Sequence, residues 1–378
     1  MKTLRFGFIG LGLMGKELAS SAARWLHLNN MPVKPEIVAV CDSNPAALEW
    51  FTQQLPSVRF HTTDYHELLA RDDVDAVYCA VPHHLHAQMY CDIIAAGKHL
   101  LGEKPFGIDR EANARINAAL QANPQVLARC SSEFPFFPAA LRIVEAVQQQ
   151  QLGRIIEVEA GFLHSSDLDP DKPINWKRMV AYNGEYGCMG DLGMHVLHIP
   201  LRLGWKPRYV QALLSNIMTQ RPDAQGKRVP CETWDNATLS SEVHYQDYSF
   251  PMLLHTKRIA PGEMNTWFLR VVGTEGAMHF STKQPKTLWR LEYHPGQAQA
   301  WQQQDVGYQS LYPGITGGIF EFGFSDAILQ MLAAFCDEAT GGTPAFGCVR
   351  PEEAALSHEI FTAALESQQQ HRVITLTP

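Results

Sequence analysis

Short apolar runs alternate with helical patterns over the first 130 residues of the chain. The apolar runs have the length and composition of buried strands, and we predict strands at residues 4–9, 36–41, 58–61, 74–81, 99–102 and 126–130. Between them, apolar side chains recur at helical spacing, which predicts helices at 16–28, from 45 onward, at 64–70 and at 84–96. Regular alternation of strands and helices is typical of a parallel sheet covered by helices on both faces.

The pattern changes after residue 130. A predicted helix at 138–151 is followed by runs in which apolar and polar residues alternate, as they do in strands with one buried face. These runs lie at 154–163, 209–217, 237–245, 249–257, 267–272 and 277–281, and two more helical patterns follow at 325–340 and 351–369. We therefore predict an α/β chain with a doubly wound parallel sheet in domain 1–130. A second α/β domain, 131–378, would have an open, mostly antiparallel sheet for substrate binding and oligomerisation.

Composition narrows the possible partners. The 378 residues carry a net charge of −8, which argues against nucleic acid or an anionic membrane as a partner, and no apolar run is long enough to span a membrane. The eight cysteines form no Cys-x-x-Cys pair and several lie in apolar runs, which indicates reduced thiols and a cytoplasmic protein. One face of the predicted open sheet is available to a second copy of the chain, so we expect a homodimer or homotetramer.

A glycine-rich segment joins the first predicted strand to the first helix. It reads Gly10-Leu-Gly-Leu-Met-Gly15, with Leu13 and Met14 at the start of the helix. In this context Gly10 permits a tight turn, Gly12 lets the backbone approach a pyrophosphate, and Gly15 allows close packing of helix on strand. The pattern predicts a dinucleotide site in a Rossmann domain, and the alternative is a strand–helix turn with no ligand.

Asp42 follows the second predicted strand, where dinucleotide-binding domains carry an acidic residue. Its carboxylate would accept hydrogen bonds from the ribose hydroxyls and would repel a 2′-phosphate. The spacing from Gly15 is long because of the loop at residues 29–35. The sequence thus favours NAD over NADP as cofactor.

Three further segments carry a resemblance to a known family. They are Cys79-Ala-Val-Pro-His-His-Leu-His86, the run Ala-Gly-Lys-His-Leu-Leu-Gly-Glu103-Lys104-Pro105, and Gly190-Asp191-Leu-Gly-Met-His195. With the glycine loop, they make the chain resemble the Gfo/Idh/MocA family, named after glucose-fructose oxidoreductase, inositol dehydrogenase and a rhizopine-catabolism protein. The resemblance covers most of the chain, and it implies an NAD-dependent oxidoreductase that acts on a sugar, an inositol or a related polyol.

The resemblance also implies roles for individual residues. It places Lys104 beside the nicotinamide and the reacting hydroxyl, with Asp191 and His195 completing the catalytic site. It assigns Val81, Pro82, His86 and Glu103 to the cofactor pocket, together with the glycine loop, Asp42 and Lys104. Trp176 and Lys177 lie in a segment that approaches the cofactor and substrate in the family.

The chemistry of alcohol oxidation agrees with these roles. A base must remove the hydroxyl proton as hydride leaves the same carbon, and His195 has a suitable ordinary pKa. Lys104 could serve as a neutral amine or stabilise a developing alkoxide. Asp191 and His195 are four residues apart, so on a helix they share a face, and the carboxylate could orient the substrate or the imidazole.

Two departures from the family leave the substrate class open. His195-Val-Leu-His198 lacks a carboxylate that many members have at its last position, and Ser132-Glu-Phe-Pro-Phe-Phe137 stands where members commonly carry an arginine. The histidine groups His83, His84, His86 and His195, His198 invite a metal interpretation, but Asp191 would have to serve twice as a partner. We expect no metal.

Three functions remain open from the sequence. The first is an NAD-dependent sugar or polyol dehydrogenase. The second is a glycoside hydrolase that uses bound NAD to oxidise a ring hydroxyl, eliminate the leaving group, add water and reduce again. The third is a non-enzymatic NAD-binding protein. Net formation of NADH separates the first from the second.

Overall fold

The computed structural model describes residues 1–376, which divide into two compact units. The first unit contains Met1–Phe136 together with two later segments, Gln309–Gly317 and Gly323–Ala354. The second contains Phe137–Tyr308, Gly318–Phe322 and the segment that begins at Ala355. The chain therefore returns to its first unit after building most of the second. The predicted division at residue 130 did not anticipate this return.

The first unit is built around a six-stranded sheet in which every pair of neighbours is parallel. Its strands are β1 (Lys2–Ile9), β2 (Val33–Cys41), β3 (Phe60–Thr62), β4 (Ala76–Cys79), β5 (His99–Gly102) and β6 (Ala128–Cys130). The helices between them are α1 (Leu13–Ala23), α2 (Pro45–Gln54), α3 (Tyr65–Leu69), α4 (His86–Ala95) and α5 (Arg110–Ala122). The strand order β3-β2-β1-β4-β5-β6 is that of a doubly wound nucleotide-binding sheet, which confirms the predicted fold.

The second unit contains a nine-stranded mixed sheet and its helices. The remaining helices of the chain are α6 (Pro138–Gln148), α7 (Val180–Asn183), α8 (Cys188–Arg202), α9 (Phe324–Ala339) and α10 (Pro351–Gln370), of which α9 lies in the first unit. The strands that follow β6 are β7 (Ile155–Leu163), β8 (Pro207–Ser215), β9 (Gln220–Pro222), β10 (Arg228–Pro230), β11 (Asn236–Tyr245), β12 (Tyr248–Lys257), β13 (Thr266–Gly273), β14 (Gly276–Ser281), β15 (Thr287–Glu292), β16 (Gln302–Asp305) and β17 (Ile374–Thr375).

The large sheet has the order β16-β15-β14-β13-β7-β12-β11-β8-β17, and β9 and β10 form a separate hairpin. Only β7 and β12 pair in parallel among the neighbours of this sheet in residues 1–376, so the predicted, mostly antiparallel sheet is confirmed. Residues alternate between buried and more exposed positions along its strands, as in β8 and β13. Helix α8 packs on β7 and β12, and each of its residues from 188 to 201 is buried.

Several elements differ from the predictions. Helix α1 ends at Ala23, and a short 3₁₀ turn, Trp25–His27, replaces the predicted continuation to residue 28. Helix α5 was not predicted, because most of its apolar residues are alanines. Its N-cap is Asp109, whose carboxylate accepts a hydrogen bond from the Ala112 amide at 2.8 Å. Strand β16 was missed because its sequence, Gln-Gln-Gln-Asp, has no apolar residue. No helix in the described chain is both long and apolar enough to cross a membrane.

Ion pairs connect α9 to the rest of the first unit. Glu338 at its end contacts Arg129 of β6 at 2.9 Å, and Asp326 at its beginning contacts Arg24 at 2.6 Å. Apolar contact accompanies them, since Phe335 lies 5.9 Å from Phe6 of β1, measured between ring centroids. A helix more than 180 residues downstream of β6 is thereby part of the nucleotide-binding unit.

The close packing of α8 gives a test of the second unit. A Cβ atom at Gly193 would lie 2.4 Å from Cζ of Phe361 in α10, so we expect Gly193→Ala to lower the free energy of unfolding by about 1–3 kcal/mol. Urea-induced unfolding measures the change. In a Phe361→Leu background the same substitution should cost less, because the smaller side chain leaves room. An equal cost in both backgrounds would show that the steric conflict is not the cause.

Candidate active site

The glycine loop between β1 and α1 has the geometry that its sequence predicts. Gly10 has a φ of +86°, and a Cβ there would lie 2.3 Å from the carbonyl oxygen of Ala80. A Cβ at Gly15 would lie 2.5 Å from the carbonyl oxygen of Gly10. At Gly12, by contrast, a Cβ would meet no described atom within 4 Å. Gly10 and Gly15 thus allow backbone segments to approach closely, whereas Gly12 faces open space.

Helix α1 begins directly after this open position. Its N-cap residue is Gly12, which has no side chain to bond the first backbone N–H groups. Leu13 is exposed and Met14 is half-buried at the start of the helix. The N-terminus of a helix carries a partial positive charge and unsatisfied donors, so this end of α1 suits the pyrophosphate of a dinucleotide.

Asp42 lies at the end of β2, next to the glycine loop. Its Oδ2 accepts a hydrogen bond from the Leu11 amide at 2.8 Å, and its Oδ1 accepts one from the Asn44 amide at 2.9 Å. The two bonds fix the orientation of the carboxylate. Each carboxylate oxygen can accept a further hydrogen bond, so the group remains able to bind ribose hydroxyls.

The Glu-Lys-Pro segment is anchored at the carboxyl end of β5. Oε1 of the buried Glu103 accepts hydrogen bonds from Tyr78 Oη at 2.8 Å and Ser131 Oγ at 2.7 Å. Its carbonyl oxygen accepts a third from Tyr90 Oη at 2.7 Å. The half-buried Lys104 follows and is joined to Pro105 by a cis peptide bond. The network therefore fixes the backbone at Lys104 on the sheet edge where doubly wound proteins bind their ligands.

His86 holds this segment against the loop after β4. Its Nδ1 lies 2.6 Å from the carbonyl oxygen of Pro105, and its Nε2 lies 2.9 Å from that of Val81, the residue before Pro82. Burial lowers the pKa of His86 to about 4, so the ring is neutral and donates to one of the two carbonyls. Both ring nitrogens of His86 lie against backbone carbonyls, so His86 holds the loop after β4 in place. No ring nitrogen is left to bind the cofactor, whose pocket His86 was predicted to line.

Helix α8 of the second unit carries Asp191 and His195 one turn apart. Asp191 is 1% exposed and accepts hydrogen bonds from Lys177 Nζ at 2.9 Å (Oδ1) and 3.2 Å (Oδ2). Arg258 Nη1 also pairs with its Oδ2. His195 is 3% exposed, its ring contacts Phe162 edge-on, and its carbonyl oxygen accepts a hydrogen bond from Trp267 Nε1 at 2.9 Å.

Trp176 and Lys177 form part of a 3₁₀ turn, Trp176–Arg178. The Asn175 side chain starts this turn by accepting a hydrogen bond from the Lys177 amide at 3.0 Å. The Lys177 ammonium lies 5.6 Å from the centroid of the Trp176 ring as well as against Asp191. Trp176, Lys177 and Asp191, which the sequence analysis named separately, are therefore neighbours.

Arg258 is a site residue that the sequence analysis missed. It follows β12, and its Nε lies 3.0 Å from Oδ2 of the buried Asp167. Burial lowers the pKa of Arg258, but Asp191 and Asp167 more than offset that effect and raise it. Burial and Arg258 lower the pKa of the nearby His164 to about 4, against an opposing effect of Asp191. An arginine after an alternating strand looks the same in the sequence whether it is buried or exposed, so no pattern revealed it.

Glu133 in the first unit is a second such residue. Its carboxyl is 5% exposed, and burial together with the charge of Glu103 raises its pKa to about 7, although Lys104 opposes the shift. The pairing of Gly102 with Cys130 puts Glu133 beyond the end of β6, beside the segment that contains Lys104. In the sequence, Glu133 stands out only as part of a segment, residues 132–137, that departs from the family pattern.

The other histidines of the two sequence clusters lie in different surroundings: His83, His86 and His198 are buried, and His84 is exposed. His83 is buried and its ring is 5.4 Å from that of His86, while His198 on α8 lies 3.5 Å from Arg202. Among residues 1–376 there is no group of three or more His, Cys, Asp or Glu residues arranged to hold a metal ion.

Comparison with known proteins decides the family. The profile described as "Oxidoreductase family, NAD-binding Rossmann fold" of the GFO_IDH_MocA group matches residues 4–129, and the GFO/IDH/MocA C-terminal domain matches residues 140–279. The chain belongs to this oxidoreductase family. Its predicted NAD cofactor is confirmed with it, since the first unit has the NAD-binding Rossmann fold of the family.

Individual members of the family match along most of the chain. Levoglucosan dehydrogenase of Pseudarthrobacter phenanthrenivorans is 24% identical over 329 residues, which are 83% of this chain and 81% of that protein. A structure of levoglucosan dehydrogenase in complex with NADH and levoglucosan has a TM-score of 0.90 at 21% identity, with 100% of each chain covered. An NAD-binding oxidoreductase of Klebsiella pneumoniae gives 0.89 at 24% identity, again over 100% of both chains. The structural matches establish the fold.

A second group of relatives matches a shorter part. A glycosyl hydrolase family 109 protein of Bacteroides thetaiotaomicron is 28% identical over 196 residues, which are 49% of this chain and 40% of that protein. The similar proteins thus include one named a dehydrogenase and others named glycosyl hydrolases.

The raised pKa of Glu133 predicts a pH-dependent stability. A carboxyl whose folded-state pKa is raised contributes stability that is fully present below its unfolded pKa and is lost as pH rises through the folded value. Between pH 4.5 and 7, the range that the shift spans, wild type should lose about 3 kcal/mol relative to Glu133→Gln.

Urea unfolding of both proteins at pH 5, 6, 7 and 8 measures this difference. The exposed Glu275→Gln is the matched control and should show no comparable trend. A constant difference between wild type and Glu133→Gln across this range would contradict the assignment of a raised pKa.

Proposed function

We propose that this family member is an NAD-dependent dehydrogenase that oxidises a secondary hydroxyl of a sugar, an inositol or a related polyol. The observation that carries the proposal is the pair Asp191 and His195, one turn apart on the buried helix α8, with Lys177 bonded to the carboxylate. A carboxylate beside an imidazole suits the binding and deprotonation of a hydroxyl. The relative named levoglucosan dehydrogenase, which matches 83% of the chain, supports a sugar as the substrate.

NAD fits the residues of the first unit. The open position at Gly12 and the N-terminus of α1 would receive the pyrophosphate, and the oriented carboxylate of Asp42 would bind the ribose hydroxyls. Glu103 and His86 would support the pocket by fixing the segments that contain Lys104, Val81 and Pro82. When bound, NAD supplies the acceptor for a hydride from the carbon that is oxidised.

The side chains of the chain would then manage the proton and the developing charge. We assign to His195 the role of the base that takes the hydroxyl proton. Lys104 is the residue that the family resemblance assigns to the reacting hydroxyl, where its ammonium would stabilise developing negative charge. Asp191 would accept a hydrogen bond from a substrate hydroxyl and orient it, and Trp176 with Lys177 would contact the substrate.

We propose that the protein acts in the cytoplasm as a homodimer or homotetramer. All eight cysteines are free thiols, which fits a reducing compartment.

On the open side of the nine-stranded sheet, a row of paired positions runs through Leu213, Thr238, His255, Gly161 and Phe268. Leu213 is exposed and Phe268 is half-buried, and apolar side chains at the two ends of this row on an open sheet face suit contact with a second copy of the chain. Light scattering should give a multiple of 42.3 kDa, and a monomer at micromolar concentration would contradict this proposal.

The alternative is redox-neutral glycoside hydrolysis with NAD. It draws support from the glycosyl hydrolase family 109 relatives, but those matches cover less than half of the chain. Both reactions begin by oxidising a hydroxyl, so Lys104, Asp191 and His195 would serve both. They differ in whether NADH accumulates. A non-enzymatic NAD-binding protein would show neither NADH formation nor consumption of a glycoside.

The test is NADH absorbance during incubation with NAD and a panel of sugars, inositols and glycosides. We expect signal with a few related polyols and a loss of about 10²- to 10⁴-fold in kcat/KM in Lys104→Ala, with NAD binding retained. The exposed Lys34→Ala serves as the matched control and should keep wild-type activity. Disappearance of a glycoside without net NADH would favour the hydrolase instead.

A further inference from the structure

The guanidinium of Arg258 lies between two buried carboxylates of the second unit. Its Nη1 pairs with Asp191 Oδ2, and its Nε is 3.0 Å from Asp167 Oδ2. Because the guanidinium is planar, with its donors in a fixed fork, contact with both carboxylates determines its orientation. Arg258 thus connects Asp191 to Asp167. Burial raises the pKa of Asp167, but the charge of Arg258, together with the other arginines nearby, outweighs burial, and the pKa is lowered overall.

The backbone around Arg258 is fixed as well. Its amide donates to the carbonyl oxygen of Asp235 at 2.9 Å and approaches Asn236 Oδ1 at 3.2 Å, and its carbonyl oxygen accepts from the Asp167 amide at 3.2 Å. The Arg258 side chain is 7% exposed, whereas that of Lys177, the other cation on Asp191, is 31% exposed. The arginine is therefore part of the framework, and the lysine is the member of the pair that can reach a ligand.

Three segments around Asp191 bring ionisable side chains close to its carboxylate. The Lys177 ammonium comes from the 3₁₀ turn, the Arg258 guanidinium comes from the residue after β12, and the His164 ring comes from the residue after β7. His164 is neutral above a pH of about 4, and Cys188 on α8 itself is a thiol whose pKa burial raises to about 12. The described ion pairs of Asp191 are thus with the Arg258 guanidinium and the Lys177 ammonium, and burial disfavours the charged forms of His164 and Cys188 beside them.

We propose that Arg258 is a positioning residue that fixes Asp191 as a permanent anion, so that Asp191 orients the substrate hydroxyl but does not take its proton. Protonating Asp191 would break its ion pairs to Arg258 and Lys177 at once in a buried site, where unbalanced charge is costly. The proton from the substrate must then go to another group, and His195 is the neighbour on the same helix face. This inference rests on the proposed dehydrogenase function.

The kinetic test compares pH profiles of kcat/KM between pH 5 and 10. In Arg258→Met, Asp191 has one cation fewer, so we expect about 10- to 100-fold lower activity and an acidic limb moved to higher pH. Arg258→Lys, which keeps the charge but not the fork, should recover part of the activity. Added guanidinium should raise the rate of Arg258→Ala and leave wild type unchanged.

Arg221→Met is the matched control. Arg221 is as deeply buried and donates to the Asp167 carbonyl oxygen at 2.6 Å, but its described contacts do not include Asp191. Its loss should lower the melting temperature without moving the pH profile. If Arg258→Met and Arg221→Met lower activity equally with unchanged pH profiles, the role of Arg258 is structural and the proposal is wrong.

A readout independent of turnover separates this inference from the proposed function. The carboxyl ¹³C signal of Asp191, assigned by its loss in Asp191→Asn, should stay constant between pH 5 and 9 in wild type and should titrate in Arg258→Met. The same midpoint in both proteins would overturn the proposal. If wild type oxidises no polyol while the signal behaves as expected, the dehydrogenase assignment fails and the role of Arg258 as the group that keeps Asp191 ionised stands.

Discussion

The second unit depends on keeping a cluster of buried charges paired. Asp167, Arg178, Arg221 and Asp235 are all completely buried, and Arg258 and Asp191 nearly so. Moving an isolated charge from water into a protein interior costs several kcal/mol even after relaxation, so each of these groups requires opposite charges or hydrogen bonds around it. Arg178 pairs with Asp235, Arg221 lies against Asp167, and Arg258 bridges Asp167 and Asp191, so each of these groups has an opposite charge beside it. Removing one member leaves its neighbours uncompensated.

These pairings also order the irregular segments of the second unit. Arg221, on the short strand β9, donates to the carbonyl oxygens of Asp167 and Lys172, and the Ile174 amide donates to the carbonyl oxygen of Pro222. The segment before Trp176 is thereby tied to the β9–β10 hairpin, although neither forms part of the large sheet. Lys177 can reach Asp191 because this segment is held in place. The first unit orders its irregular segments mainly with neutral hydrogen-bond donors, as at Glu103, and with glycine backbone that lies close to its neighbours.

The sequence predicted those features whose cause is local. The spacing of Gly10, Gly12 and Gly15 predicts the turn that they form, and Asp42 directly follows the second strand, as predicted. Asp191 and His195 share one face of helix α8 because four residues make about one turn. Features that depend on distant parts of the chain escaped. The return of α9 to the first unit, the burial of Arg258 and the occupied nitrogens of His86 follow from contacts that no local pattern encodes.

Two carboxyl groups show most clearly why such residues escape sequence analysis. Glu133 is buried beside a second carboxyl group, Glu103, and its pKa rises to about 7 mainly because burial disfavours the charged form and further because of the charge of Glu103. Asp191 is buried to a similar degree but lies against Lys177 and Arg258, which favour its ionised form. Burial alone therefore does not decide whether a carboxyl holds its proton. The charges that the fold brings beside it matter as well: Glu133 has a second carboxyl group beside it, whereas Asp191 has two cationic groups.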